Sequence, residues 1–119
     1  MKPKRLLIIE DDSIFRNILV LMVAEKYVVM ATRDRDSAVN MLETGFDVVL
    51  MDMQMPGMEA EDFMARLRED CPGAQVVLMS GYCNSQVANE LGVRHFLSKP
   101  FTLDQLHSVL KEADAAPVS

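Results

Sequence analysis

Long apolar runs, paired cysteines and excess positive charge are all scarce in this chain of 119 residues. No stretch approaches the ~18 uninterrupted apolar residues of a membrane-spanning helix, so no membrane span is expected. The basic start Met1-Lys2-Pro3-Lys4-Arg5 is followed by only four apolar residues before acids begin, too few for a signal peptide. The two cysteines, Cys71 and Cys83, make neither a CxxC pair nor a four-ligand zinc pattern. A disulfide between them has no support, and a reduced, cytoplasmic setting is the better reading. Lysine and arginine number 12 against 18 acids, for a net charge of −6. Such a chain lacks the basic surface that phosphate contacts on nucleic acid require, which argues against nucleic-acid binding. There is no internal repeat and no low-complexity segment.

What the chain does have is a series of short apolar runs, each ending in a polar residue. Leu6-Leu7-Ile8-Ile9 runs into Glu10-Asp11-Asp12, and Phe46-Asp47-Val48-Val49-Leu50-Met51 into Asp52. Val76-Val77-Leu78-Met79 runs into Ser80, and His95-Phe96-Leu97 leads to Ser98-Lys99-Pro100-Phe101. Runs of this length read as strands buried on both faces. Tyr27-Val28-Val29-Met30-Ala31 adds a strand rich in β-branched residues.

Between the runs the apolar spacing turns helical. Ile14, Ile18, Leu21 and Met22 mark a helix over about 13–25. Asp36 or Ser37 can cap a second, through Val39, Met41 and Leu42, with Gly45 closing it. Phe63, Met64 and Leu67 mark a third over about 60–70, broken by Pro72-Gly73. A short helical stretch over about 84–91 ends at Gly92, and a last helix after Thr102 carries Leu103, Leu106, Val109 and Leu110. Five β-then-α units in succession predict an α/β fold, a parallel sheet covered by helices on both faces. The length suits one domain, over 1–114, with 115–119 as a flexible tail or the start of a linker. The ten methionines are read as flexible core fillers.

In open α/β sheets ligands bind at the C-terminal edge of the strands. Here that edge would gather Glu10, Asp11 and Asp52. Two unit charges about 4 Å apart repel by roughly 4 kcal/mol at an effective dielectric of about 20. A hard divalent cation such as Mg²⁺ suits these oxygens and keeps several waters. Lys99 can add a further positive charge, and Ser80 can donate to an anion lying between them. A carboxylate beside a cation can attack phosphorus as a nucleophile.

At these residues the chain resembles the response-regulator receiver domains of two-component signalling. The matching pieces are Glu10-Asp11-Asp12, Asp52 followed by Met55-Pro56-Gly57-Met58, Ser80-Gly81, and Phe96-Leu97-Ser98-Lys99-Pro100-Phe101. The resemblance covers essentially the whole chain. It implies a doubly wound (βα)5 flavodoxin-like fold with strand order 2-1-3-4-5. It implies that Asp52 accepts a phosphoryl group from the phosphohistidine of a histidine kinase or a histidine phosphotransfer protein. Asp11, Asp52 and the backbone carbonyl of Gln54 would hold Mg²⁺ or Mn²⁺, with Glu10 acting through water. Ser80 and Lys99 would bind the phosphoryl oxygens, the Lys99–Pro100 bond would be cis, and Ser80 and Phe96 would form the switch. Such a receiver also takes phosphoryl groups from small donors and loses them to water. Its output is a downstream protein or an output domain missing from these residues. The start at Met1 points to an N-terminal or free-standing receiver, and Pro117 leaves room for a linker.

The chain departs from the family pattern in places. Glu10 stands where aspartate is commoner, and Ala60 where glycine is usual. Gln54 and Tyr82 flank the acceptor and are expected to set the phosphoryl lifetime. The segment between Ser80 and Lys99 is about one helical turn short, so the fourth helix is shortened and the family's common dimer through that face is not expected. Blander readings exist for single residues: Asp12 as a helix N-cap, Phe96 as core, and His95 and His107 as surface residues. Cys83 lies near the site, though a redox role is disfavoured. Other functions fit less well. A haloacid-dehalogenase-type phosphatase needs an acid where Gln54 stands. A flavodoxin-like flavin carrier needs a phosphate-cradling loop where Glu10-Asp11-Asp12 stands. A degenerate receiver acting only as a docking surface would not need Asp52, Ser80 and Lys99.

Overall fold

Parallel strands supply the frame that brings the edge residues together. In a computed structural model, which describes residues 3–81 and 85–115, five strands and five helices alternate. The strands are β1 (Lys4–Ile9), β2 (Tyr27–Thr32), β3 (Val48–Asp52), β4 (Gln75–Ser80) and β5 (His95–Ser98). The helices are α1 (Ser13–Val23), α2 (Arg35–Val39), α3 (Ala60–Asp70), α4 (Ser85–Glu90) and α5 (Leu103–Ala115). The sheet runs β2-β1-β3-β4-β5, all parallel, as expected of the doubly wound fold. The expectations placed on Tyr82, Cys83 and the tail beyond residue 115 lie outside the described residues.

Successive side chains of a strand point to opposite faces, and the central strands are apolar on both. Leu7, Ile9, Val49, Met51 and Leu78 pack with Phe63, Met64 and Leu67 of α3 and with Ala38 and Val39 of α2. Leu6, Ile8, Val48, Leu50, Val77 and Met79 pack with Leu19 and Val23 of α1 and with Leu106, Val109 and Leu110 of α5. Met51, Met64 and Met79 are buried in these cores. β2 is an edge strand, which leaves Val28 and Met30 exposed.

Three helices differ from the sequence expectation: in α5, Leu106, Val109 and Leu110 are buried as expected, but Leu103, the first residue of the helix, is exposed. In α1 the buried residues are Leu19 and Val23, while Ile14 is 74%, Ile18 46% and Leu21 78% exposed. Apolar residues occur round most of this helix, so periodicity could not select the inward side. The second helix starts earlier and is shorter. Its cap is Asp34, whose carboxylate accepts the Ser37 N–H at 2.7 Å. After α2 the chain continues as a 3-10 turn, Leu42–Thr44, and Gly45 ends it at φ +87°. Asp36, expected as a cap, is used elsewhere: its Oδ2 accepts the Met58 N–H at 3.3 Å. Asp12 does cap α1, taking the N–H groups of Ile14 and Phe15 at 3.0 and 3.1 Å. His95 and His107 are half-buried, and the His107 ring lies 3.0 Å from the Met22 carbonyl. Cys71 is a buried free thiol that bonds the Phe46 backbone.

Candidate functional site

Parallel register places the ends of β1, β3, β4 and β5 on one edge. Ile9 lies opposite Met51, Asp52 opposite Met79, and Ser80 opposite Ser98. Glu10, Asp52, Ser80 and Lys99 therefore meet, each at or just beyond a strand end. Glu10 is 1% exposed, Asp52 and Ser80 are buried, and Asp11 is exposed. The carboxylate oxygens of Glu10, Asp11 and Asp52 lie within 4.8 Å of one another. Lys99 binds two of these acids at once, with Nζ 2.5 Å from Asp52 Oδ2 and 2.9 Å from Glu10 Oε1. Its ammonium also lies 4.7 Å from the Phe15 ring centroid, a cation–π contact, and Phe15 packs against Phe101 at 5.8 Å.

Backbone bonds hold the acids in place. Glu10 Oε2 accepts the Asp12 N–H at 3.1 Å, and Asp52 Oδ1 accepts the Gln54 N–H at 2.9 Å. The Lys99 N–H donates to the Ser80 carbonyl at 2.7 Å, and the Lys99–Pro100 peptide is cis, as expected. Burial raises the Glu10 carboxyl to about 7, with Lys99 pulling it down and Asp11 and Asp52 pushing it further up. Burial also presses the Lys99 ammonium down, but its bonds to Asp52 and Glu10 outweigh this and hold it above the ordinary lysine value. One ammonium thus faces three carboxylates. An all-oxygen donor set with surplus negative charge and one open side fits a hard divalent cation. Phe96 is half-buried against the α2–α3 core, and Gln54 is exposed at the start of the β3–α3 loop.

One residue with no sequence signal braces this loop from outside it. Arg35, the first residue of α2, is only 2% exposed. Its guanidinium donates to the carbonyls of Asp52 at 3.1 Å, Met53 at 2.9 Å and Met58 at 3.0 Å, and to Met51 Sδ at 3.3 Å. Burial lowers its pKa, and the charges of Asp52 and Glu59 oppose that shift. In the run Arg33-Asp34-Arg35-Asp36 nothing separates a buried guanidinium from a solvated one.

The chain is similar to known proteins in sequence and in fold. The chain is 26% identical to the hydrogenase transcriptional regulatory protein HoxA of Cupriavidus necator, over 94% of this chain and 24% of that protein. It is 29% identical to the transcriptional regulatory protein TcrA of Mycobacterium tuberculosis, over 90% of this chain and 44% of that protein. The chain therefore spans less than half the length of either relative. Among solved structures, the Vibrio cholerae chemotaxis protein CheY4 superposes with a TM-score of 0.85 at 20% identity, covering 94% of this chain and 99% of that one. A Burkholderia pseudomallei response regulator, solved with a phosphorylated aspartic acid and a calcium ion, has a TM-score of 0.79 at 21% identity, covering 90% of this chain and 66% of that one. The family model described as "Response regulator receiver domain" matches residues 6–111. That match spans most of the chain and agrees with its fold and strand-edge acids: the chain belongs to the response regulator receiver domain family.

Proposed function

We propose that Asp52 accepts a phosphoryl group from the phosphohistidine of a histidine kinase or a histidine phosphotransfer protein. One observation carries this reading: three carboxylates gather within 4.8 Å, with Lys99 bridging Asp52 and Glu10. Receiver domains are signalling switches rather than dedicated enzymes, so the chemistry serves a change of state. An Asp52 carboxylate oxygen attacks phosphorus, the N–P bond of the donor breaks, and the leaving imidazole takes up a proton. Lys99 turns from the carboxylate to the new phosphoryl oxygens, and Ser80 donates to another. Asp11, Asp52, the Gln54 carbonyl and, through water, Glu10 would hold Mg²⁺ or Mn²⁺. The ion would neutralise charge on the phosphoryl oxygens. Phe96 packs further inward when Ser80 engages the phosphoryl group, a local charge event that biases a packing element. The same site takes phosphoryl groups from small donors and returns them to water. We assign the receiver unit to 1–114, a cytoplasmic setting, and an output carried by a downstream protein or a further domain.

Phosphoramidate carries the same N–P bond as phosphohistidine and serves as the test donor. Intact mass after incubation is expected to show one added phosphoryl group in the presence of Mg²⁺ and none with a chelator. Equal labelling with and without the metal would overturn the reading.

A further inference from the structure

We propose that Arg35 is a positioning residue for the metal site: its guanidinium fixes the loop after Asp52 and so places the Gln54 carbonyl. The inference rests on the proposed phosphoryl-transfer reading of this edge. The residue that would supply a backbone ligand, Gln54, sits on a short segment clamped on both sides. Nη2 of Arg35 donates to the carbonyls of Asp52 and Met53, and Nη1 donates to that of Met58. Asp36, next on α2, takes the Met58 N–H, so the first turn of this helix holds both polar backbone groups of Met58. From the sheet side the Met53 N–H donates to the Met79 carbonyl at 2.9 Å. Gly57 completes the clamp: its φ is +94°, and a Cβ there would lie 2.5 Å from Asp36 Oδ2.

The chemistry of the clamp is specific to arginine. A planar guanidinium offers five donors in a rigid fork, whereas an ammonium is a point charge on a flexible stem. Among the described residues the oxygen acceptors of Arg35 are all neutral carbonyls, with no hydrogen-bonded carboxylate. A buried charge of this kind is expensive, and methionine would fill the same space without the expense. What the guanidinium supplies and methionine cannot is a fixed backbone between Asp52 and Met58. Groups that orient metal ligands from behind commonly change metal affinity about 10–100-fold when removed.

The test compares the full chain with Arg35→Met, Arg35→Lys and a control, Val23→Ala, in the opposite core. Mg²⁺ affinity is read by displacement of Mn²⁺ followed by electron paramagnetic resonance, at a temperature where circular dichroism shows each protein folded. Arg35→Met is expected to weaken Mg²⁺ binding about tenfold or more, and Arg35→Lys about threefold or more. Val23→Ala loses stability but keeps its Mg²⁺ affinity. Affinity within about twofold of wild type in either folded Arg35 variant overturns the inference. So does failure of both Arg35 variants to fold while the control folds, which would make Arg35 a folding residue. If the wild type itself binds neither metal, the reading of the site fails, and the wild-type titration alone shows it.

Discussion

Glu10 and Asp52 are each held by one backbone partner and one opposite charge. Each accepts an N–H from two residues ahead, which leaves the other carboxylate oxygen for Lys99. Tyr27 gives a test of the same bookkeeping away from the site. Its hydroxyl donates to Asp114 Oδ2 at 2.6 Å, joining β2 to α5, and burial raises its pKa, with Asp114 adding to the shift. Tyr27→Phe is expected to cost about 1 kcal/mol in urea unfolding at neutral pH. The pH sign follows from the raised value. The folded state keeps a proton that the unfolded chain loses near pH 10, so this contribution is whole below about pH 10 and is lost as pH rises beyond it. The gap between wild type and Tyr27→Phe should therefore narrow above about pH 10; a gap that widens there would show the sign to be wrong.

At the scale of elements, burial decides what a sequence shows. In α1, Leu19 is fully buried and Leu21 is largely exposed although both are leucines on one helix. Leu19→Ala is expected to cost about 2–5 kcal/mol, and Leu21→Ala less than about 0.5 kcal/mol, by urea unfolding. A larger cost for Leu21→Ala than for Leu19→Ala would mean that α1 packs on its other side. The central strands β1, β3 and β4 were legible because residues buried on both faces leave continuous apolar runs. The inward side of α1 was not legible, since Ile14, Ile18 and Leu21 make as regular a stripe as the buried residues do. The start of α2 was hidden too. Four consecutive charged residues, Arg33 to Asp36, offer several caps, and only the fold shows that Asp34 caps while Arg35 and Asp36 reach the β3–α3 loop.

At the scale of the whole molecule, the site is a consequence of parallel register. Glu10, Asp52, Ser80 and Lys99 are far apart in sequence, and four strands bring them to one edge. Their positions after apolar runs were enough to select them in advance, because a strand end is a local signal even when its neighbours are distant. The braces behind the site were not, because Arg35 and Phe15 act through contacts that no local pattern encodes. The central claim is that this edge exists to place a phosphoryl group on Asp52. The most direct measurement treats the chain with phosphoramidate and Mg²⁺, reduces the acyl phosphate with borohydride, and maps the reduced residue by peptide mass. The account predicts homoserine at position 52 and nowhere else; reduction at another acid, or at none in a chain that had gained a phosphoryl group, would contradict it.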